Sequence, residues 1–373
     1  MPAFFAEAAP PRTILVICTG RIGDVLLATP VLRSLKSHWP NAQIDMLVFD
    51  GTGDVLENNP DIRRVLSIAR HANRVRRFAD ARAMWRRYDL ACSLRTSGVA
   101  SFYCWIAGHK RIGLVPPTRK RWLRQPVLNR FAVDSDDARH VVQSGAVLTA
   151  LLGIPPSFEV VPPSIGAHPE RLLRLDQLLA PAAGKPFVVI HLYPRYVYKM
   201  WHAEGWHALV AFLHERGYAI VLTGGSEEAE VAYSSEFIKQ AGTHVIDLVG
   251  KLSLGATAEV IRRARLFVGP DTATSHVSAA TGTPTIALFG PSNPVRWGPW
   301  PKDWTGTTPW QKRGSGQQGN VYLLQGVGAC VPCKREGCEG HISSRSHCLS
   351  TLDANRVIDA VAELLGVETC ARN

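Results

Sequence analysis

The sequence contains no apolar run approaching the roughly 18 residues that a membrane-crossing helix requires. Its first residues, MPAFFAEAAPPRT, read as too short and too acidic for a secretory signal. These two absences predict a cytoplasmic protein. The first strand-like run is not followed by G-x-G-x-x-G, so the opening domain is not expected to bind a dinucleotide. Eight cysteines give no secreted disulfide framework, since Cys18, Cys92 and Cys104 fall in predicted core elements. Acidic residues are scarce only in the first half. Residues 1–152 hold 22 Lys and Arg against 12 Asp and Glu, whereas the remainder holds 20 against 19. Nearly all of the net charge of +11 therefore belongs to the N-terminal half. Such asymmetry points to an anionic partner (nucleic acid, a membrane surface or a phosphorylated substrate) or, more plainly, to a basic solvated face.

What is present suits a globular α/β protein. At 373 residues, with 46% apolar and 20% charged side chains, the chain can build two domains with separate cores. Thr13–Cys18 is a buried strand of parallel type, followed by Thr19-Gly20-Arg21-Ile22-Gly23-Asp24 and a helical stretch to about His38. Thr29-Pro30 reads either as an N-cap and first turn or as a kink in a helix begun at Asp24. Gln43–Phe49, Val65–Ile68, Asp89–Leu94 and Arg111–Leu114 are further strands. Between them, Asn73–Arg87 reads as an amphipathic surface helix with Val75, Phe78, Ala81 and Trp85 opposite its arginines. Alternating strands and helices with short links predict a doubly wound parallel sheet, whose ligands sit beyond the C-terminal strand ends. Gly20 and Gly23 lie at that edge and let the backbone approach a ligand. Asp24 beside them is a helix cap or, aimed at a ligand, a candidate general base.

Lys110–Arg130 is basic throughout, lacks acidic residues, and carries Trp122 among prolines 116, 117 and 126. Its centre, Arg119-Lys120-Arg121, could meet nucleic acid or the phosphates and sugars of a lipid-linked glycan. Asp134-Ser135-Asp136-Asp137 has the look of a metal–diphosphate site, but capping of the helix that follows explains it more simply. Six prolines between Gly153 and Lys185 mark a domain boundary, predicting units of 1–165 and 166–373.

The second half restarts the pattern at Phe187–His191. The loop after it, Leu192–Trp206, carries Arg195 and Lys199 to the strand's C-terminal edge, where cations suit a diphosphate. After the strand Ala219–Leu222, Gly224 and Gly225 permit close backbone approach, and Glu228 could bond a nucleoside hydroxyl or serve only as a first-turn carboxylate. Leu266–Val268, the Gly269-Pro270 break, the run Asp271-Thr272-Ala273-Thr274-Ser275-His276 and the strand Thr285–Phe289 form a βαβ unit. A helix start offers N–H groups without internal partners together with the positive end of the macrodipole, so it suits a phosphate; its Thr and Ser residues could equally be ordinary caps. After Pro294 the chain reads as irregular. Cys330, Cys333, Cys338 and Cys348 are spaced for a structural zinc, for free thiols or for a labile disulfide. Leu352–Leu365 is a closing amphipathic helix.

Three segments carry a family resemblance: Gly20-Arg21-Ile22-Gly23-Asp24 with Leu27-Ala28-Thr29-Pro30-Val31-Leu32; Lys199-x-Trp201 with Trp206; and Gly269–His276 with Leu288-Phe289-Gly290-Pro291. In order and spacing the chain resembles glycosyltransferase family 9, the ADP-heptose:lipopolysaccharide heptosyltransferases. Asn41–Pro60 and Trp297–Trp300 look most like the branch adding the third inner-core heptose. The resemblance implies a GT-B fold, in which two Rossmann-like domains face each other across a cleft. It also implies inverting transfer of L-glycero-D-manno-heptose from an ADP donor to the lipopolysaccharide core, at the inner membrane's cytoplasmic face and without a metal or other cofactor. Carried over by position, Asp24 would be the base and Lys199 would neutralise departing ADP. Arg195, Gly224, Gly225, Glu228, Asp271, Thr272, Ala273, Thr274 and His276 would bind the donor. Gly23, Arg119, Lys120 and Arg121 would face the acceptor. Two alternatives stand beside this: a relative with another nucleotide sugar or polysaccharide acceptor, and a nucleic-acid binder working through the 110–130 patch.

Overall fold

The computed structural model describes residues 10–118, 122–123, 125–134, 139–182, 184–242 and 244–368. Arg119, Lys120, Arg121 and residues 135–137 of the acidic run lie outside the described residues. The chain divides into one unit of Met1–Pro162 with Asp303–Thr308, and a second of Pro163–Lys302 with Pro309–Asn373.

The first unit runs β1 (Thr13–Ile17), α1 (Ile22–Leu26), α2 (Thr29–His38), β2 (Gln43–Phe49), β3 (Arg64–Ile68), α3 (Arg74–Met84), β4 (Tyr88–Ser93), α4 (Gly98–Ala107), β5 (Gly108–Val115), β6 (Arg130–Val133) and α5 (Val141–Ala150). Its six strands lie in the order β3-β2-β1-β4-β5-β6, and every pair is parallel. Ile14, Leu15, Val16 and Ile17 are fully buried, as a parallel strand covered on both faces requires. The order reverses at β1, so the loops after β1 and β4 share a switch point where such sheets take ligands.

Two local readings change. Thr29 is the first residue of α2, with Pro30 second, so the chain makes two helices and Ala28 stands at the N-cap. The Thr29 hydroxyl instead donates to Leu26 O (2.7 Å) and accepts the Val161 amide (2.9 Å), which closes the break. α3 is capped by Asn73, whose side chain accepts from the Arg76 amide. A surface helix normally buries its apolar stripe, yet Val75 is 78% and Phe78 70% exposed, while Met84 faces inward.

The second unit contains α6 (Pro169–Leu179), β7 (Phe187–His191), α7 (Ala203–Glu215), β8 (Ala219–Thr223), α8 (Glu228–Ala241), β9 (Val245–Asp247), α9 (Leu254–Arg263), β10 (Leu266–Pro270), α10 (Ala273–Thr281) and β11 (Thr285–Phe289). It ends with α11 (Pro294–Trp297), β12 (Gly316–Gln318), β13 (Val321–Gln325), α12 (His347–Ser350) and α13 (Ala354–Leu365). The sheet order is β12-β13-β11-β10-β7-β8-β9, parallel except for edge strand β12. The stretch after Pro294 is thus less irregular than its composition suggests: Val321–Gln325 pairs in parallel with β11. α7 begins at Ala203, inside the span read as loop, because His202 caps it by accepting the Gly205 amide. α13 packs on α7, and the second core gathers Val188, Ile190, Trp201, Trp206, Leu352 and Val361. No helix among the described residues is long and apolar enough to cross a membrane.

Candidate active site

In the first unit, the loop after β1 presents Asp24 within α1, its side chain 9% exposed. One carboxylate oxygen accepts the Arg21 amide at 2.8 Å and the other meets Arg95 Nη1 at 3.0 Å. Asp24 therefore caps its own helix and is also ion-paired. Arg95 follows β4, so the strand order brings together two loops 71 residues apart. Thr19 and Ser97 hydroxyls join the same loops at 3.3 Å. Gly20 is required here, because a Cβ at that position would sit 2.6 Å from the Asp24 side chain. Gly23, half-buried, precedes Asp24 in the same turn. Nearby Cys18 is no nucleophile: burial, and then the Asp24 charge, push its thiol up to about 12. Asp134 is buried and accepts the Ser144 hydroxyl at 2.6 Å, which ties it to α5.

In the second unit, the loop after β7 makes a 3-10 turn, Val197–Lys199, that ends on Lys199. Trp201, fully buried, donates its indole N–H to Leu352 O at 2.8 Å and stacks edge-on against Trp206. This anchor fixes the segment two residues beyond Lys199. Lys199 Nζ then lies 2.5 Å from Asp271 Oδ2, on the loop after β10. Burial alone would raise the Asp271 carboxyl, but Lys199, the Ser292 hydroxyl and His276 together hold it below the usual aspartate range. Asp271 stays anionic and keeps the ammonium aimed.

α10 starts immediately afterwards. Most of its hydroxyls are used internally: Ser275 donates to Pro270 O (2.6 Å), Ser278 bonds Thr285 (2.6 Å) and Thr281 donates to Ser278 O (2.7 Å). Ser278 and Ala279 are fully buried, and their smallness serves packing on the sheet. Thr272 at the N-cap differs. It makes no capping bond, and its buried hydroxyl has no hydrogen-bond partner among the described residues. Thr272 and Ala273 are half-buried, while Thr274 and His276 are buried in α10.

The loop after β8 holds a residue that pattern reading passed over. Glu228 opens α8 and is exposed. Glu230 lies against the glycines instead, since a Cβ at Gly224 would fall 2.5 Å from its Oε1 and one at Gly225 3.0 Å from its Oε2. Burial raises the Glu230 carboxyl, and His191 Nε2 stands 4.0 Å away. The available signal was the helical spacing: Glu228 and Glu230 lie two residues apart and so point about 200° apart around the helix. Arg195 is exposed, near the Tyr196 ring. Cys330, Cys333, Cys338 and Cys348 are unbridged, and no set of three or more His, Cys, Asp or Glu among the described residues is arranged to hold a metal.

The chain has relatives among known proteins. Lipopolysaccharide heptosyltransferase 3 from Escherichia coli is 29% identical over 289 residues, spanning 74% of this chain and 83% of its own. Lipopolysaccharide heptosyltransferase 1 from Pseudomonas aeruginosa is 28% identical over 293 residues, 75% of this chain and 79% of its own. Among solved structures, a family 9 glycosyl transferase from Veillonella parvula superposes with a TM-score of 0.74 at 22% identity, covering 95% of this chain and 97% of that one. An E. coli heptosyltransferase crystallised with ADP gives a TM-score of 0.67 at 21% identity, covering 94% and 99%. Two parallel-sheet units with this strand order are the GT-B fold. The family model for glycosyltransferase family 9 (heptosyltransferase) matches residues 77–315, and the chain belongs to that family.

Proposed function

We propose that this protein transfers heptose from ADP-L-glycero-D-manno-heptose to a sugar hydroxyl of the lipopolysaccharide inner core, inverting the anomeric carbon. Family membership supports the reading, as do relatives named lipopolysaccharide heptosyltransferases and a neighbour solved with ADP and with ADP-2-deoxy-2-fluoro heptose. The observation that carries it is Lys199, an ammonium fixed by Asp271 beside a helix start whose Thr272 hydroxyl has no partner among the described residues.

In the reaction the acceptor oxygen bonds to the anomeric carbon as the bond to the ADP oxygen breaks. The proton passes to Asp24 Oδ, and negative charge builds on the leaving diphosphate. Asp24 is suited to the first task because Arg21 and Arg95 fix its orientation before substrate arrives. Lys199 and the amides opening α10, around Thr272, Ala273 and Thr274, are suited to the second: preorganised positive charge counts most where charge develops. Asp271 positions Lys199 and is placed for sugar hydroxyls, with His276 behind it. Arg195 is a further cation for the diphosphate. Gly224, Gly225, Glu228 and Glu230 are assigned the nucleoside. On the acceptor side the assignment is Gly23, with Arg119, Lys120 and Arg121 of the basic 110–130 stretch. Such an acceptor is lipid-anchored, which places the protein peripherally on the inner membrane's cytoplasmic face. The test is mass spectrometry of core oligosaccharide from a strain lacking the protein. A core one heptose short is expected. An unchanged core, or purified protein that binds UDP or GDP in preference to ADP, overturns the reading.

A further inference from the structure

α3 is built inside out. Val75, Phe78, Ala79 and Arg82 fall at i, i+3, i+4 and i+7, which is one stripe of a helix, and all four are exposed. Val75 is the most exposed large apolar side chain among the described residues, and Phe78 is next. The opposite side carries half-buried Asp80, ion-paired to Arg76 at 3.1 Å, and Met84, and it lies against α4 near Tyr103. The stripe continues beyond α3: Trp85 touches Trp105 of α4 edge-on with ring centroids 6.2 Å apart, and Phe102 is exposed one turn before Trp105. Scattered exposed apolar residues need no explanation. Val75 and Phe78 one turn apart on α3, with Trp85 against Trp105 and Phe102 exposed on the neighbouring α4, mark an interaction surface.

The charge around the row selects the partner. Arg82 stands within the stripe and exposed Arg74 flanks it beside Phe78, while Asp80, turned inward and paired to Arg76, is the only acid in the helix. Apolar groups at the centre, indoles beside them and guanidinium groups at the rim match the depth profile of an anionic bilayer: acyl chains, interface, phosphates. A nucleic acid would call for a face made mainly of arginines, whereas Val75, Phe78 and Ala79 make up most of this stripe and Arg82 is its single cation.

We infer that the α3–α4 face docks the first unit on an anionic lipid surface. This rests on the reading of a lipid-anchored acceptor and assigns it a specific face. The test is co-sedimentation of the full chain with vesicles of phosphatidylcholine containing roughly one-third phosphatidylglycerol. Wild type should bind, and Val75→Ser with Phe78→Ser should weaken partitioning about tenfold or more. Pure phosphatidylcholine vesicles, or Arg74→Gln with Arg82→Gln, should weaken it comparably. The substituted side chains are exposed, so melting and ADP binding should not change. Turnover of delipidated core oligosaccharide should also be preserved, with loss confined to acceptor held in vesicles. The proposal is overturned if wild type ignores the vesicles, if the Ser variant binds them equally, or if wild type prefers single-stranded RNA. Vesicle binding that depends on Val75 and Phe78 in a protein inactive on every acceptor would uphold the docking face and remove the heptosyltransferase reading.

Discussion

The two units use one scaffold with opposite electrical signs. In each, the first strand is central, the second and third lie on one side, and the fourth lies on the other. In each, the loops after the first and fourth strands are joined by an ion pair at the switch point. The first unit carries the acid on the earlier loop and the base on the later, Asp24 with Arg95. The second reverses them, Lys199 with Asp271. Outside the site they differ again. Nine large apolar side chains are exposed among the described residues of the first unit, against four in the second, and residues 1–152 of the first hold nearly all the net charge. The difference teaches that the strand order supplies a place for a charged pair, and the loop residues decide which charge leads. In the proposed reaction the acid side accepts a proton and the ammonium side receives a diphosphate.

Neutralising one pair at a time tests that contrast. Asp24→Asn keeps an oxygen for the Arg21 amide, so the fold should hold while turnover falls about 10³-fold. Its ADP affinity, measured by calorimetry, should stay near wild type. Lys199→Ala should cost about 10² in turnover and, unlike the first variant, weaken ADP about tenfold. Equal effects of both variants on ADP would erase the division of labour. Arg95→Ala should lower kcat about thirtyfold with donor KM unchanged, and Arg95→Lys should recover part of it, as a positioning role requires.

The smallest effect concerns pH. β7 ends in His191, whereas the equivalent β1 ends in Ile17. Burial lowers His191 from 6.5 to about 4. The unfolded chain therefore takes up a proton that the folded one refuses, and stability is lost as pH falls from 6.5 toward 4. Glu230 acts oppositely: its raised carboxyl contributes stability at low pH that is lost as pH rises through its folded value. A net loss of about 1 kcal/mol between about pH 7 and about pH 5 is expected in thermal melts, and His191→Gln should flatten it. An equally steep profile in the variant would place the titration elsewhere.

Much of the fold was legible locally. Thr13–Ile17, Phe187–His191 and Thr285–Phe289 are almost continuously apolar, as is Gln43–Phe49 apart from Gln43 and Asp45, and a strand buried on both faces writes itself into sequence that way. Val321–Gln325 was hidden by the glycines and prolines around it, and α4 by a run apolar on nearly every face. Asp24, Lys199 and Asp271 could be singled out because glycines and strand ends announced their loops.

The sequence by itself determined where most strands lie, which strand-end loops hold the candidate site residues, and that the first half is basic. Tertiary structure decided that Asp24 meets Arg95 and Lys199 meets Asp271, that Glu230 rather than Glu228 lies on the glycines, and that Val75 and Phe78 face outward. The reason is one of range. Periodicity and turn chemistry act over a few residues, but strand order brings together loops some seventy residues apart, and a helix's outward face depends on what already covers its other side.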